Sequence, residues 1–402
     1  MEKTILLLPG TKWQLDLAKT IKKRGYRLYV IDPSPNAPCK EYADKFLESD
    51  IFDNTKIDQF ITDNPIDAVV SDECDIAMPV VARIGEKFKL STINSNMAKL
   101  YTNKYKMREF CKNNGLEYPE YRLCRTSKEV DTFLKEIKAP IVIKPIDCNA
   151  SKGVFIVYTE KDVEKCFKYT LSYSREEKAV LAERYINGTE FTIDGIKTPN
   201  AQYTLAISEK KHFKHNCNIA DELLFSHQNQ KFSYSQLKKV NDKYVMQSGL
   251  LFGLTHAEYK YEKGKFYLIE IAARGGGNKI SSIISQYMSG HDTYDYLIDC
   301  ALGQVHQIEF KLSEQVKSRV AVLKFFHTPY GGGKVKKIYG IDYLESEKNI
   351  KEYALNFSEG DVIKDCVSDS ARIGYYIACS DTVNELNTVM KNVQKKFYIE
   401  VE

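Results

Sequence analysis

The chain has 402 residues at 46.2 kDa, with 43% hydrophobic and 28% charged residues. That is too long for one ordinary domain of about 150 residues and predicts two to three globular units. The net charge of +4 is too small for a binder driven by phosphate neutralisation, which argues against nucleic acid as a partner. No apolar run approaches the roughly 18 residues of a membrane helix, and Ile5 to Leu8 stops at Pro9-Gly10, too early for a signal peptide. The 10 cysteines are scattered with no CxxC pair, which suits reduced thiols in the cytoplasm.

The first hundred residues alternate strand and helix. Thr4 to Leu8, Leu28 to Ile31 and Ala68 to Ser71 read as short buried strands. Helical segments follow the first of them, at Trp13, Leu15, Leu17, Ala18 and Ile21, and precede the third, around Ile57 to Ile61. Such alternation predicts a parallel, doubly wound sheet whose strand-end loops face ligand. The first loop is Pro-Gly-Thr-Lys rather than G-x-G-x-x-G, so a nicotinamide dinucleotide site lacks its fingerprint.

Asn94 to Asn114 reads as one helix closed by Asn114-Gly115. Ile141 to Pro145 and Val154 to Tyr158 are strands around a loop, with further strands at Val180 to Ala182 and Phe191 to Ile193. Thr255 to Tyr261 and Phe266 to Ile271 form a hairpin across Glu262-Lys263-Gly264-Lys265, and Asp292 to Leu302 is a helix. The last hundred residues carry more strand signal and turns such as Tyr330 to Lys334.

The hairpin carries the first chemical signal. Glu258 and Glu270 have the same parity on adjacent strands, so they share a sheet face, opposite one another or one pair off. Facing carboxylates repel unless a cation lies between them; hard oxygen donors suit Mg²⁺, although nearby lysines at a surface serve as well. After Glu270 comes Arg274-Gly275-Gly276-Gly277, where an Arg fork and exposed backbone N–H groups suit phosphate or carboxylate. Lys144 ends an apolar strand, where desolvation demands an anionic partner. Ala150 to Val154 can offer Ser151 and backbone donors to phosphate, or be an ordinary surface turn. Glu183 and Glu190 flank a Gly turn. Lys210 to Asp221, with two histidines, is either a contact for a substrate carboxylate or a solvated loop, and Asn278 and Lys279 are further carboxylate contacts.

In order, Lys104, Lys144-Pro145 with Ser151-Lys152-Gly153, Glu183-x-x-Ile186-x-Gly188-x-Glu190, Glu258, and Glu270-x-x-x-Arg274-x-Gly276-Gly277 resemble the signature of the ATP-grasp ligases, over residues 1 to 305. The resemblance includes carbamoyl-phosphate-synthase-like and amino-acid ligase members. It implies an N-terminal doubly wound α/β domain (1–95), an ATP-grasp fold of two α+β subdomains (96–305) with a lid at about 124–190, and a C-terminal α+β extension (306–402). It also implies ATP with two Mg²⁺ ions, or Mn²⁺.

By the same resemblance, Lys104 and Lys144 hold the α- and β-phosphates, and Ser151, Lys152 and Gly153 close over the triphosphate. Glu183 and the backbone of Arg184 and Ile186 meet adenine, and Glu190 meets the ribose. Glu258 and Glu270 hold the metal ions, and Arg274 stabilises the phosphoryl transition state. His256 lies near the transferring group, or equally is a strand-packing residue. Ala272 stands where the common pattern has a metal-binding Asn, with Asn278 as a substitute.

The activity implied is phosphorylation of a small carboxylate and its capture by an amine, with an amino acid as first choice. A homodimer is left open. The rivals are another acid or nucleophile, as in carbamoyl-phosphate-like, purine-pathway-like or sugar-acid amidation, and a non-catalytic ATP-binding regulatory protein.

Overall fold

The computed structural model describes residues 2–148, 151–175, 177–305, 310–329, 331–366 and 368–402, without the side chains of Cys217, Asn218 and Ser370. The turn residue Tyr330 and the start of the expected C-terminal unit at 306 therefore lie outside the described residues.

The N-terminal part is an all-parallel sheet of β1 (Thr4–Leu7), β2 (Arg27–Asp32), β3 (Lys45–Glu48) and β4 (Ala68–Val70), in the order β3-β2-β1-β4. Helices α1 (Leu15–Lys23), α2 (Asn54–Asp63) and α3 (Met78–Phe88) connect its strands and follow β4. Strand β1 is fully buried, as a two-sided parallel sheet requires. Strand β3 was not predicted: its sequence Lys-Phe-Leu-Glu is half exposed at the sheet edge and carries a weak apolar signal.

The helix expected over Asn94 to Asn114 is two, α4 (Ser95–Thr102) and α5 (Lys104–Asn113). Asn103 adopts φ −111° and ψ 111° and caps α5 by accepting from the Lys106 N–H. The break has a use: the Lys104 N–H is freed to donate to the carbonyl of Ile146 at 2.8 Å.

A second sheet is antiparallel, β5 (Tyr121–Cys124), β6 (Ile141–Pro145), β7 (Phe155–Val157) and β8 (Val180–Arg184), in the order β5-β8-β6-β7. Helices α6 (Ser127–Ile137) and α7 (Glu160–Leu171) pack on it through Val130, Phe133, Val163 and Phe167.

The largest sheet has eight strands: β9 (Thr189–Lys197), β10 (Gln202–Phe213), β11 (Asn216–Phe225), β12 (Gly253–Glu262), β13 (Lys265–Ala272), β14 (Val320–Phe325), β16 (Ile350–Leu355) and β18 (Gly374–Ser380). Their order is β13-β12-β9-β10-β11-β14-β18-β16. It therefore runs without interruption from β13 into the C-terminal segment through the β11–β14 pairing. A small sheet of β15 (Gly333–Tyr339), β17 (Val362–Ile363) and β19 (Tyr398–Val401) completes the chain. One face of β9, β10, β12 and β13 is apolar, with Phe191, Ile193, Ile207, Ala257, Tyr259 and Ile271 packed against helix α8 (Tyr234–Ser248). The opposite face carries the site. Among the described residues no helix is long and apolar enough to cross a membrane.

Candidate functional site

Strand alternation builds the site. On the face opposite α8, Glu270, Glu258, Thr192 and Ser208 form one cross-strand row, with Lys260, Glu190 and Lys210 below it and Ala272, His256 and Asp194 above it. Glu258 and Glu270 are direct register partners, the closer of the two expected arrangements. A bulge between Glu258 and Tyr259 flips parity on β13, so Leu268 packs in the core while Glu270 faces the site. The hairpin turns on Lys263 (φ 48°) and Gly264 (φ 87°), the left-handed pair a tight two-residue turn needs.

Lys104 and Lys144, the lysines expected on the α- and β-phosphates, are each engaged by a carboxylate. Lys104 Nζ donates to Glu270 Oε1 at 2.7 Å and to the Cys148 carbonyl at 2.6 Å. Burial opposes its charge, but Glu270 outweighs this and raises the ammonium pKa. Lys144 Nζ lies 2.6 Å from Glu183 Oε2, and the other carboxylate oxygen takes Arg108 Nε at 2.5 Å. Arg108 and Glu183 are buried, and Arg108 also donates to the Ile269 carbonyl, so the cluster ties α5, the four-stranded antiparallel sheet and β13 together. Burial drives the Lys144 pKa down to about 8, with Glu183 opposing and Arg108 adding repulsion. For Glu183 burial alone would raise the pKa, but the two cations hold it below the ordinary carboxylate value.

Lys210 bridges Glu190 at 2.6 Å and Glu258 at 3.0 Å. His212 Nε2 is 3.2 Å from Glu190. Burial opposes ionisation of Glu190 and Glu258, but Lys210 wins in both and lowers their pKa. The segment Lys210 to Asp221 is thus no solvated loop: it is the β10–β11 hairpin, with Lys210 and His212 on the cavity and Asp221 turned to Lys324 and His327. Cys217 of that segment belongs to the undescribed side chains.

Arg274 is held by the N-terminal part of the chain. Its Nε and Nη2 form a two-pronged pair with Asp75, at 2.8 and 2.6 Å, and Nη1 donates to the Gly275 carbonyl. Burial opposes the charge but Asp75 raises the guanidinium pKa. The same loop after β4 docks on the glycine run: Asp72 accepts from the Gly275 N–H at 2.7 Å and Glu73 from the Lys279 N–H at 3.1 Å. A Cβ at Gly275 would lie 2.1 Å from Ser281 Oγ, and one at Gly276 2.6 Å from Asp194 Oδ1, which is why glycine stands at both positions. Lys279 turns into the N-terminal part to Asp16, at 2.8 Å, whereas Asn278 lines the cavity.

His256 Nδ1 is 2.9 Å from Asp194 Oδ1, and its Nε2 is 4.0 Å from Glu258. The Arg184 side chain is spent on Glu120 and Glu262 and its N–H on the Glu120 carbonyl. Ile186 is buried on the cavity wall. In the loop after β6, Ser151 (φ 56°) donates to Asp369 of the C-terminal segment at 2.8 Å, Lys152 is exposed, and Gly153 has φ 70°. Asn149 and Ala150 lie outside the described residues.

These groups line one cavity of about 450 Å³ that also takes Trp13, Leu223, Leu323, Phe325, Asp369 and Arg372. Lys104, Lys144, Ser151, Glu183, Arg184, Ile186, Glu190, His256, Glu258, Glu270 and Arg274 all lie on its wall. Lys152 and Gly153 do not. Sequence reasoning missed Arg108, Asp75, Asp194, Asp369 and Arg372. Asp75 and Asp194 follow predicted strand ends, which was the available signal; Arg108, Asp369 and Arg372 had none.

The residues 137–283 match the ATP-grasp domain family, and 325–402 match the family described as L-amino acid ligase C-terminal domain 2. The formate-dependent phosphoribosylglycinamide formyltransferase of Prochlorococcus marinus is 24% identical over 71% of this chain and 73% of its own length. Three relatives of the same name match over 50% of their length. The L-amino acid ligase from Bacillus licheniformis superposes with a TM-score of 0.84 at 20% identity, covering 100% of this chain and 99% of that one. N5-carboxyaminoimidazole synthetase from Staphylococcus aureus complexed with ADP superposes with a TM-score of 0.71 at 19% identity, over 98% and 97%.

Proposed function

We propose that this chain, whose residues 137–283 match the ATP-grasp domain family, is an ATP-grasp ligase that joins the carboxylate of one amino acid to the amine of another at the expense of ATP. The observation that carries this reading is the facing pair Glu258 and Glu270 in one cavity with Lys104, Lys144 and Arg274. The match of residues 325–402 to an L-amino acid ligase domain supports the substrate class. So does the cavity's other half, whose wall is apolar, with the partly buried Trp13 over the buried Leu223, Leu323 and Phe325, and with one arginine, Arg372. A phosphoribosyl substrate would call for a cluster of phosphate-binding cations there.

Glu258 and Glu270 are direct register partners on one sheet face and together offer hard oxygen donors of the kind that fit Mg²⁺, with Lys104 and Lys210 as their present counter-charges. Glu258 and Glu270 would hold the ions, two in number on the family pattern, with Asn278 standing on the cavity wall where Ala272 offers no ligand. Bound there, Mg²⁺ would supply Lewis-acid neutralisation of the charge on the transferred phosphoryl group.

The chain's own residues do the rest. Lys104 and Lys144 neutralise the α- and β-phosphates. The adenine stacks between the lid and β13, against Val142, Ile186 and Ile269, and Glu190 takes the ribose. The acid attacks the γ-phosphate, ADP leaves, and Arg274 neutralises charge developing on the phosphoryl and acyl oxygens. The amine then displaces phosphate. His256 is oriented by Asp194 with Nε2 toward Glu258, placed to take the proton the amine loses. The Ser151 to Gly153 loop excludes water from the acyl phosphate.

The test is phosphate release over paired amino acids and amines, with mass detection of the condensed product. Release that needs both partners supports the ligase. Tight ATP binding with no release for any pair leaves a nucleotide-binding regulatory protein.

A further inference from the structure

The eight-stranded sheet changes character across its width. On the site face, β13, β12, β9 and β10 carry charge, whereas the next strands carry Leu223 and Leu323, which are register partners of each other, with Leu223 opposite Lys210. Over this apolar half lies Arg372, just before β18, with its guanidinium carbon 3.6 Å from the centroid of the Phe325 ring. The residue is 9% exposed. Its Nη2 donates to Asp369 Oδ1 at 2.5 Å and to the Ala220 carbonyl at 3.0 Å. Its Nε is buried with no hydrogen-bond partner among the described residues.

A guanidinium presents five N–H donors, and a buried one left unmade is a standing cost. Arg83, Arg108 and Arg319 also carry an unsatisfied N–H, but none of them lines the cavity. Burial lowers the Arg372 pKa even though Asp369 opposes it, so this cation is the under-neutralised one. Arg274, by contrast, is fully matched by the two oxygens of Asp75 and raised. Asp369 also divides its charge, since its other oxygen accepts from Ser151.

We propose that Arg372 is the anchor for the free, unreacted carboxylate of the amine substrate, whose side chain lies against Trp13. This rests on the amino-acid reading above. The carboxylate that is phosphorylated must meet Glu258, Glu270 and Arg274 in the charged half. An amino acid that attacks through its amine keeps its own carboxylate, and that group needs a cation other than Arg274. Arg372 supplies it, from the C-terminal segment just before β18. The Ser151–Asp369 bond further joins this anchor to the loop that closes over the phosphates, so acceptor binding and closure share a contact.

The experiment uses the full chain and its one tryptophan, Trp13, which lines the cavity and reports on its occupancy. Trp13 fluorescence is titrated with L-leucine and with L-leucinamide, in the presence of MgADP. L-leucinamide keeps the amine and side chain and lacks the carboxylate. The wild-type protein is expected to bind L-leucine at least about tenfold more tightly, the worth of a charge-assisted pair. Arg372→Gln is expected to bring the ratio near one and Arg372→Lys to restore part of it, with MgADP affinity in both close to wild type as the check on folding. A merely structural arginine would weaken both ligands together and leave the ratio alone. Discrimination that persists in Arg372→Gln, or that is absent from the wild type while the enzyme releases phosphate with amino acids, overturns the anchor and leaves the ligase reading standing. A wild-type protein that neither releases phosphate with the standard L-amino acids nor responds to L-leucine overturns both.

Discussion

Replacing Glu183 by Gln removes one negative charge from between two buried cations and keeps the shape. Arg108 and Lys144 are 0% and 4% exposed, and Glu183 is the carboxylate that pairs with both. Breaking a buried pair by deleting one partner costs roughly 3–5 kcal/mol, because the other charge stays behind. The two cations escape differently. Lys144 already sits at about 8, so losing Glu183 lets it shed its proton at neutral pH. Arg108 cannot deprotonate and keeps only its bond to the Ile269 carbonyl. The loss is therefore expected near the low end, about 3 kcal/mol, read as a shift of the urea midpoint at pH 7. The triple replacement Arg108→Met, Lys144→Met, Glu183→Leu removes all three charges with little change of volume. It is expected to recover stability to within about 1 kcal/mol of wild type while weakening ATP more than tenfold. A Glu183→Gln loss below about 1 kcal/mol would refute the buried-triad reasoning, and wild-type ATP affinity in the triple variant would refute the nucleotide role of Lys144.

Glu270→Gln should abolish turnover without unfolding the protein; near-normal phosphate release would sink the metal assignment. Arg274→Ala should lower kcat by orders of magnitude with ATP binding largely kept, and Asp75→Asn, which loosens the fork, should lower kcat about tenfold with KM for ATP unchanged. An Asp75→Asn effect on KM for ATP alone would remove its positioning role. Lys144 is cationic below about 8 and neutral above it, so apparent ATP affinity should fall as pH rises through 8, and the always-charged Lys144→Arg should lose that limb. In stability the sign is opposite: the strain of a buried charged Lys144 is present below 8 and relieved between 8 and 10.5, so the lid should grow more stable with rising pH there. Thr126→Ala deletes the capping box that starts α6 in the lid, where Thr126 and Glu129 bond reciprocally. About 1 kcal/mol of lid stability should go with it, with the active-site ion pairs intact.

The parallel N-terminal sheet was legible because strands buried on both faces leave apolar runs too plain to misread, as Ile5 to Leu8 shows. The hairpin was legible because Glu258 and Glu270 share parity, and the bulge that could have broken that argument falls just outside the pair. Strand β3 was not legible: an edge strand buries half its side chains and looks like a turn. The break at Asn103 was hidden because the helical periodicity continues past it; only the cap and the Lys104 N–H bond to Ile146 show it. The residues that complete the site fared worst. Arg108 lies on a helix face that reads as solvated. Asp369 and Arg372 come from a segment distant in sequence, and their place depends on how the parts pack rather than on any local pattern.

That packing also explains how so many charges coexist around one cavity. A lysine awaiting phosphate in a buried site would be an unpaired charge, and the protein avoids this by lending each one a carboxylate: Glu270 to Lys104, Glu183 to Lys144, Glu190 and Glu258 to Lys210, Asp75 to Arg274. Nucleotide binding is then an exchange of partners more than an addition of charge. On the proposed function, phosphates would displace Glu270 from Lys104 and leave its oxygens available to a metal ion. The same logic separates Lys144, whose Glu183 is shared with Arg108, from Lys104, whose Glu270 has no second cation among the described residues. Lys144 starts with the weaker hold on its proton, lowered rather than raised. It is therefore the lysine whose charge the incoming phosphate must itself stabilise, and the one through which ATP binding takes up a proton above pH 8.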